Sequence, residues 1–200
     1  SHSAGRSALY RGARAQPMIL LYHYEGPKCP SDTLLTAAAA DYTGRAPGDP
    51  ALTILRLPGK PPTLPALPGH FFSVSHSGGR WMCAAGSVPL GLDLQIHQPC
   101  DAAKLSARFF HPDEDAWLRA RGCHSADFFQ LWSRKEAYVK YRGVGITQGL
   151  DWFSVVADGV LRERLGPVWF LQPEPPEGFS LCLCAERPEP VQLRLLCPTP

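Results

Sequence analysis

Residues 132–140 read WSRKEAYVK and lie within a longer segment, about residues 126–141, that predicts an α-helix. Ser125 is a favoured residue for capping the start of this helix. Glu136 and Lys140 lie one helical turn apart, at the edge of an apolar stripe. The stripe consists of Phe128, Leu131, Trp132 and Val139. An ordinary surface ion pair would explain the Glu–Lys spacing, but the aromatic neighbours favour the rim of a cleft.

Upstream of this helix, leucines alternate with Gly, Asp and Gln in PLGLDLQ, residues 89–95. Such alternation is typical of a β-strand that buries one face. The leucines would enter the core, and Asp93 and Gln95 would share the opposite face. Two residues along a strand lie about 6–7 Å apart, so the oxygen atoms of Asp93 and Gln95 could approach one cation. A strand face that binds nothing is the alternative.

Further upstream, residues 71–79 read FFSVSHSGG, which predicts a strand that ends in a tight glycine turn. The hydroxyl of Ser75, the imidazole of His76 and the backbone N–H groups of the turn are suited to binding phosphate. A turn with a purely structural role is the alternative.

The order of the predicted elements indicates an α+β protein of two comparable halves. Strands are predicted at residues 18–24, 51–57, 71–75, 80–86, 89–95, 152–156, 160–164, 168–171, 179–185 and 191–196, and helices at about residues 31–42, 112–121 and 126–141. We expect an N-terminal half over residues 18–95 and a C-terminal half over residues 96–187. Residues 1–17 are interpreted as a tag or disordered leader, and residues 188–200 as a proline-rich C-terminal tail.

Composition excludes some classes of function. The formal net charge of the chain is only +2, which argues against a nucleic-acid-binding protein that neutralises many phosphates. No apolar run approaches the ~20 residues of a membrane span. The seven cysteines show no spacing typical of metal ligands, and their odd number suggests reduced thiols in a cytoplasmic protein.

Three segments, FFSVSHS at residues 71–77, GLDLQ at 91–95 and WSRKEAYVK at 132–140, resemble in this order the signature motifs of Sfp-type 4′-phosphopantetheinyl transferases. Their spacing is similar too, and Gly59-Lys60-Pro61 resembles an upstream motif of the same family. The resemblance covers about residues 59–185, nearly two-thirds of the chain.

The resemblance implies a pseudo-twofold pair of α+β halves with coenzyme A bound between them. It implies that Asp93 and Glu136, with Gln95, bind Mg²⁺, a cation that prefers carboxylate and phosphate oxygens. It also implies that Glu136 is a base, that a serine of an acyl or peptidyl carrier protein attacks the β-phosphate, and that 3′,5′-ADP leaves. The residues expected to contact coenzyme A phosphates are Lys60, Ser75, His76 and Lys140.

Two departures from the family pattern leave alternatives open. Many members have Glu where this chain has Gln95, and the N-terminal third is shorter than in typical members. One alternative is a protein that binds coenzyme A or a carrier without transfer. Another is a Mg²⁺-dependent hydrolase of pyrophosphates. The chain is expected to act as a monomer, and the sequence does not specify the carrier or its pathway.

The carrier is expected to dock beside the cleft, on residues of about 100–125. Carriers of these pathways are usually acidic around the acceptor serine, and this stretch offers Lys104, Arg108, Arg119 and Arg121 among Phe109, Phe110 and Trp117. The alternative is that these aromatic residues belong to the core.

Overall fold

The computed structural model describes residues 17–144 and 148–198. Almost all of the expected leader, residues 1–16, lies outside the described residues. The helices are α1 (Ser31–Thr43), α2 (Ala102–Phe109), α3 (Pro112–Ala120) and α4 (Ser125–Arg142), and a 3₁₀ turn spans Pro50–Leu52. The strands are β1 (Ile19–Glu25), β2 (Phe71–Ser77), β3 (Arg80–Gly86), β4 (Leu90–Ile96), β5 (Val156–Ala157), β6 (Val160–Leu161), β7 (Arg164–Leu165), β8 (Val168–Leu171), β9 (Phe179–Ala185) and β10 (Val191–Leu195).

Two four-stranded sheets form the centre of this mixed α/β fold. Their strand orders are β10-β1-β3-β2 and β4-β9-β8-β7. Strand β10 pairs with β1 in parallel and the other pairs are antiparallel. Residues 191–195, within the proline-rich tail, therefore belong to the first sheet. The division into halves near residue 95 and their pseudo-twofold relation stay predictions.

The two sheets pack against each other, and helices cover their outer faces, while Leu193 and Leu195 of the edge strand β10 are exposed. Leucines of β4 and β9 meet Ile19, Leu21 and Met82 of the first sheet in one apolar cluster between the sheets. Helix α1 covers the outer face of the first sheet through Leu34, Leu35 and its alanines. Helix α4 covers the outer face of the second sheet, in a cluster that includes Phe128, Leu131 and Cys182. Because α4 packs on β4 and β9, the order of the layers places it beside the strand that carries Asp93.

The local predictions differ from the structure in several places. Of the strand expected at residues 152–156, only Val156 is in a strand, the short β5, and the strand expected at residues 160–164 is divided between β6 and β7. The residue that precedes α4 as its N-cap is His124 rather than Ser125. The strand expected at residues 51–57 is absent, and the 3₁₀ turn at Pro50–Leu52 and an isolated bridge between Leu55 and Thr63 occupy this region. Prolines before and after the apolar run end any longer pairing. Helix α2 is not predicted by the sequence. It begins after Asp101, whose carboxylate accepts a hydrogen bond from the N–H of Lys104, as an N-cap residue does.

A buried ion pair joins α3 to α4. The ammonium of Lys135 lies 2.7 Å and 2.8 Å from the two carboxylate oxygens of Glu114 and also donates to the carbonyl of Phe153. Glu114 in turn accepts from the N–H groups of His111 and Val155. Burial lowers the pKa of Lys135 to about 8. Both side chains are fully buried, so this pair fixes the rotation of α4 about its own axis.

Candidate active site

Helix α4 lies directly on the backbone of β4. At Gly91, a methyl group would lie 2.2 Å from the carbonyl oxygen of Ala137 and 2.5 Å from the backbone nitrogen of Tyr141. Real side chains do not come this close to backbone atoms, so only glycine allows the contact. The close approach brings Glu136 and Lys140 of α4 next to Asp93.

Lys140 connects α4 to two strands of different sheets. Its ammonium lies 2.9 Å from the carbonyl oxygen of Leu92, 3.2 Å from that of Val74 and 3.3 Å from Oδ1 of Asp93. The other carboxylate oxygen of Asp93, Oδ2, is buried and has no hydrogen-bond partner among the described residues. A buried anionic oxygen without a partner is energetically costly, so Asp93 is suited to a bound cation.

The pKa shifts of the Asp93 and Glu136 carboxyl groups also favour a bound cation. Burial raises the pKa of Asp93 to about 7, with the Lys140 ammonium opposing this rise and the Glu136 carboxylate adding to it. Burial also raises the pKa of Glu136 above its usual range, again against the effect of Lys140. Two neighbouring carboxyl groups whose charged forms are disfavoured by burial form a site where a cation would stabilise both.

A cleft of about 640 Å³ opens above this pair of carboxylates. All seven residues selected from the sequence line it: Lys60, Ser75, His76, Asp93, Gln95, Glu136 and Lys140. Residues from distant parts of the chain, on β2, β4, α4 and the loop before β2, therefore meet in one cavity. Their individual roles stay predictions.

Besides Asp93 and Lys140, two of these residues are partly occupied by contacts within the protein. The hydroxyl oxygen of Ser75 is buried and accepts from the N–H of Leu94 at 2.9 Å. The amide nitrogen of Gln95 donates to the carbonyl of Ile96 at 3.0 Å, which leaves the amide oxygen as the atom of Gln95 able to meet a cation. His76 and Lys60 are exposed.

Arg56 and Ser31 also line the cleft, and the sequence pattern did not indicate either of them. The guanidinium of Arg56 is held by the carboxylate of Asp32 at the start of α1. The only available signal was a basic residue four positions before Lys60, and such spacing is common in loops.

The donor set fits Mg²⁺. Among the described residues, no group of three His, Cys, Asp or Glu side chains could hold a metal ion together. These residues therefore do not form a metal site from protein ligands alone. Mg²⁺ is commonly bound by one or two carboxylates together with substrate phosphates and water. Asp93 and Glu136 provide two carboxylates, Asp93 through an oxygen that has no other described partner.

Comparisons with known proteins identify relatives of this chain. The profile of the 4′-phosphopantetheinyl transferase superfamily matches residues 89–182. A 4′-phosphopantetheinyl transferase of Bacillus subtilis is 35% identical over 167 residues, which cover 79% of this chain and 73% of the relative. The 4′-phosphopantetheinyl transferase Sfp of Bacillus subtilis strain 168 is 34% identical over 137 residues, 64% of this chain and 60% of the relative. The 4′-phosphopantetheinyl transferase gsp of Aneurinibacillus migulanus is 30% identical over 121 residues, 57% of this chain and 51% of the relative.

Proposed function

The chain belongs to the Sfp-type 4′-phosphopantetheinyl transferases, and we propose that it transfers the 4′-phosphopantetheine group of coenzyme A to a serine of a carrier protein. The observation that carries the proposal is the position of Asp93. One of its carboxylate oxygens, which has no hydrogen-bond partner among residues 17–144 and 148–198, lies in a cleft that also contains Glu136 and basic residues suited to phosphate.

Asp93 and Glu136, with the amide oxygen of Gln95, are the residues that would hold Mg²⁺. The ion would supply positive charge against the pyrophosphate of coenzyme A, which makes the phosphoryl group easier to attack. The donors proposed for the phosphates themselves are Lys60, Ser75, His76 and Lys140. Their positions around one cleft support positioning and charge neutralisation as the main sources of catalysis, as in other phosphoryl transfers.

Glu136 is the proposed general base. Burial raises the pKa of its carboxyl group, which brings it nearer to the pH at which a base works best. It would take the proton of the carrier serine, directly or through water. The serine oxygen would then bond to the β-phosphorus of coenzyme A, the bond from that phosphorus to the bridging oxygen would break, and 3′,5′-ADP would leave.

The carrier is proposed to dock on α2 and α3. Phe110 and Trp117 are buried, so this surface is less apolar than the sequence suggested, and Phe109 is the aromatic residue exposed there. Arg119 and Arg121 pair with acidic residues of their own chain. Lys104 and Arg108 form no salt bridge within the described residues, so they are the cations best placed to meet an acidic carrier.

We also propose that the protein works as a monomer in the cytoplasm, without nucleic acid. All seven cysteines are free thiols, which supports a reducing compartment. Within the described residues, no helix is long and apolar enough to cross a membrane.

Mass spectrometry tests the proposal. Apo-carrier proteins of fatty-acid, polyketide and nonribosomal-peptide pathways would be incubated with the protein, coenzyme A and Mg²⁺. We expect at least one carrier to gain phosphopantetheine on its serine. Release of phosphopantetheine without any acceptor would instead indicate a pyrophosphate hydrolase, and binding of coenzyme A without either reaction would indicate a binding protein.

A further inference from the structure

Strands β2 and β4 lie side by side but belong to different sheets. Side chains, rather than a backbone ladder, join them: the Lys140 ammonium bonds a carbonyl of each strand, and three serines bond the backbone of β4. Three hydrogen bonds of 2.9 Å run from the backbone N–H groups of Leu92, Leu94 and Ile96 to the hydroxyl oxygens of Ser73, Ser75 and Ser77, respectively.

We propose that this serine ladder (Ser73, Ser75 and Ser77) sets the separation of the two walls of the cleft, and that Ser73 and Ser77 are positioning residues for coenzyme A. The inference rests on the proposed function for the identity of the ligand. The ladder itself rests on the hydrogen bonds across the junction.

The geometry of β4 requires such a ladder. N–H groups along a strand alternate in direction, and those of Leu92, Leu94 and Ile96 point to β2, on the side away from β9. Leu92 and Leu94 are buried, so an N–H group without a partner there would be costly. The serine oxygens meet this need at every second residue, which matches the period of both strands.

Site residues at the junction lie between rungs of the ladder, where a rung is one of the three hydrogen bonds, except Ser75, which itself forms a rung. His76 lies between Ser75 and Ser77 on β2, and Asp93 lies between Leu92 and Leu94 on β4. The rungs therefore fix a proposed phosphate donor of one sheet relative to a proposed metal ligand of the other. A shift of one residue in the register between β2 and β4 would turn the serine side chains away from the N–H groups that they now bind.

The turn after Ser77 restricts movement along the strands as well. A methyl group on Gly78 would lie 2.6 Å from Cδ1 of Ile96 and 3.0 Å from the ring of Phe179. The end of the β2–β3 hairpin thus rests on the end of β4. The junction is held by hydrogen bonds along its length and by close packing at this end.

Loss of a rung is expected to weaken coenzyme A binding more than carrier binding. Coenzyme A would contact residues on both sides of the junction, whereas the proposed carrier surface on α2 and α3 lies outside it. A serine that served stability alone would leave the affinity of the folded protein for coenzyme A unchanged.

The test compares Ser77→Val with Ser77→Thr, since threonine keeps the hydroxyl and valine has nearly the same shape without it. We expect Ser77→Val to raise the dissociation constant for coenzyme A about tenfold in calorimetry and to leave the KM for carrier unchanged. Ser77→Thr should restore the affinity of the wild type. Ser106→Ala, which alters a buried serine on α2, is the control and should not change the affinity for coenzyme A.

Amide hydrogen exchange by NMR provides a readout that needs no ligand. The N–H group of Ile96 should exchange about tenfold faster in Ser77→Val than in Ser77→Thr. Ser73→Ala should have the same effect on Leu92, which keeps the proposal testable if Ser77→Val does not fold. Rapid exchange at Leu92, Leu94 and Ile96 in the wild type, or equal coenzyme A affinity in both Ser77 variants, would overturn the proposal. If the wild type failed to bind coenzyme A while these amides were protected, the proposed function would fail and the ladder would stand.

Discussion

Gly91→Ala tests whether the contact between α4 and β4 builds the site. The added methyl group would lie 2.2 Å from the carbonyl oxygen of Ala137, 2.5 Å from the nitrogen of Tyr141 and 3.0 Å from its Cα. All three are backbone atoms of α4, so no side chain can move aside to make room. The helix itself must shift, and Glu136 and Lys140 shift with it.

The structure gives the size of this shift. Ordinary contact for such a methyl group begins near 3.4 Å, so the carbonyl of Ala137 must retreat by about 1.2 Å. A displacement of about 1 Å at a catalytic group can lower a rate about 100-fold. Overpacking of this kind also reduces the free energy of unfolding by about 1–3 kcal/mol. We therefore expect a folded protein with about one hundredth of the wild-type kcat.

The assay is steady-state transfer to a carrier, together with thermal unfolding. Gly48→Ala is the matched control, because a methyl group at Gly48 meets no atom within 4 Å and should alter neither kcat nor Tm. A Gly91→Ala protein with a kcat within about threefold of the wild type would refute the reasoning.

Three further variants test other parts of the site. Gln95→Glu should remain active and reach half-saturation at a lower Mg²⁺ concentration, since it adds a negative charge near the cation; an unchanged Mg²⁺ titration would remove Gln95 from the site. Reversal of Lys104 and Arg108 to Glu should raise the KM for carrier in a salt-dependent way and leave that for coenzyme A unchanged, and an unchanged carrier KM would place docking elsewhere. Lys135→Met should lower the free energy of unfolding by about 3–5 kcal/mol in urea titrations, because it leaves the Glu114 carboxylate buried and unpaired; the double variant with Glu114→Gln should recover part of the loss, and an equal loss in both would contradict this explanation.

The parts of the fold that follow periodicity could be predicted from the sequence. The leucines of β4 pack between the two sheets and the apolar stripe of α4 packs in the cluster on the outer face of the second sheet. Both elements were therefore located within a residue or two. Helix α2 was missed because it is short and its start depends on the side chain of Asp101. The pairing of β10 with β1 joins residues far apart in the chain, and such contacts leave no mark in local spacing.

The candidate site, like the fold, could be predicted only in part from the sequence. The resemblance to the family's motifs identified seven residues that line one cleft. Strand and helix periods agree with the placement of those on β2, β4 and α4, whereas Lys60 lies in a loop and followed from the resemblance alone. The spacing of the motifs gave no sign of the serine ladder, since a serine that accepts a backbone hydrogen bond is identical in sequence to one that binds phosphate. Arg56 was missed because its position in the cleft depends on the course of a proline-rich loop rather than on a period.

The most direct test of the proposed function is transfer by the wild type, Asp93→Ala and Glu136→Ala, measured as the intact mass of a carrier incubated with coenzyme A and Mg²⁺. The wild type should modify the carrier serine. Both variants should fold and bind carrier but modify almost none of it, because each removes a carboxylate from the pair that would hold the cation. Transfer at about a tenth of the wild-type rate or more by either folded variant would contradict a shared role for Asp93 and Glu136.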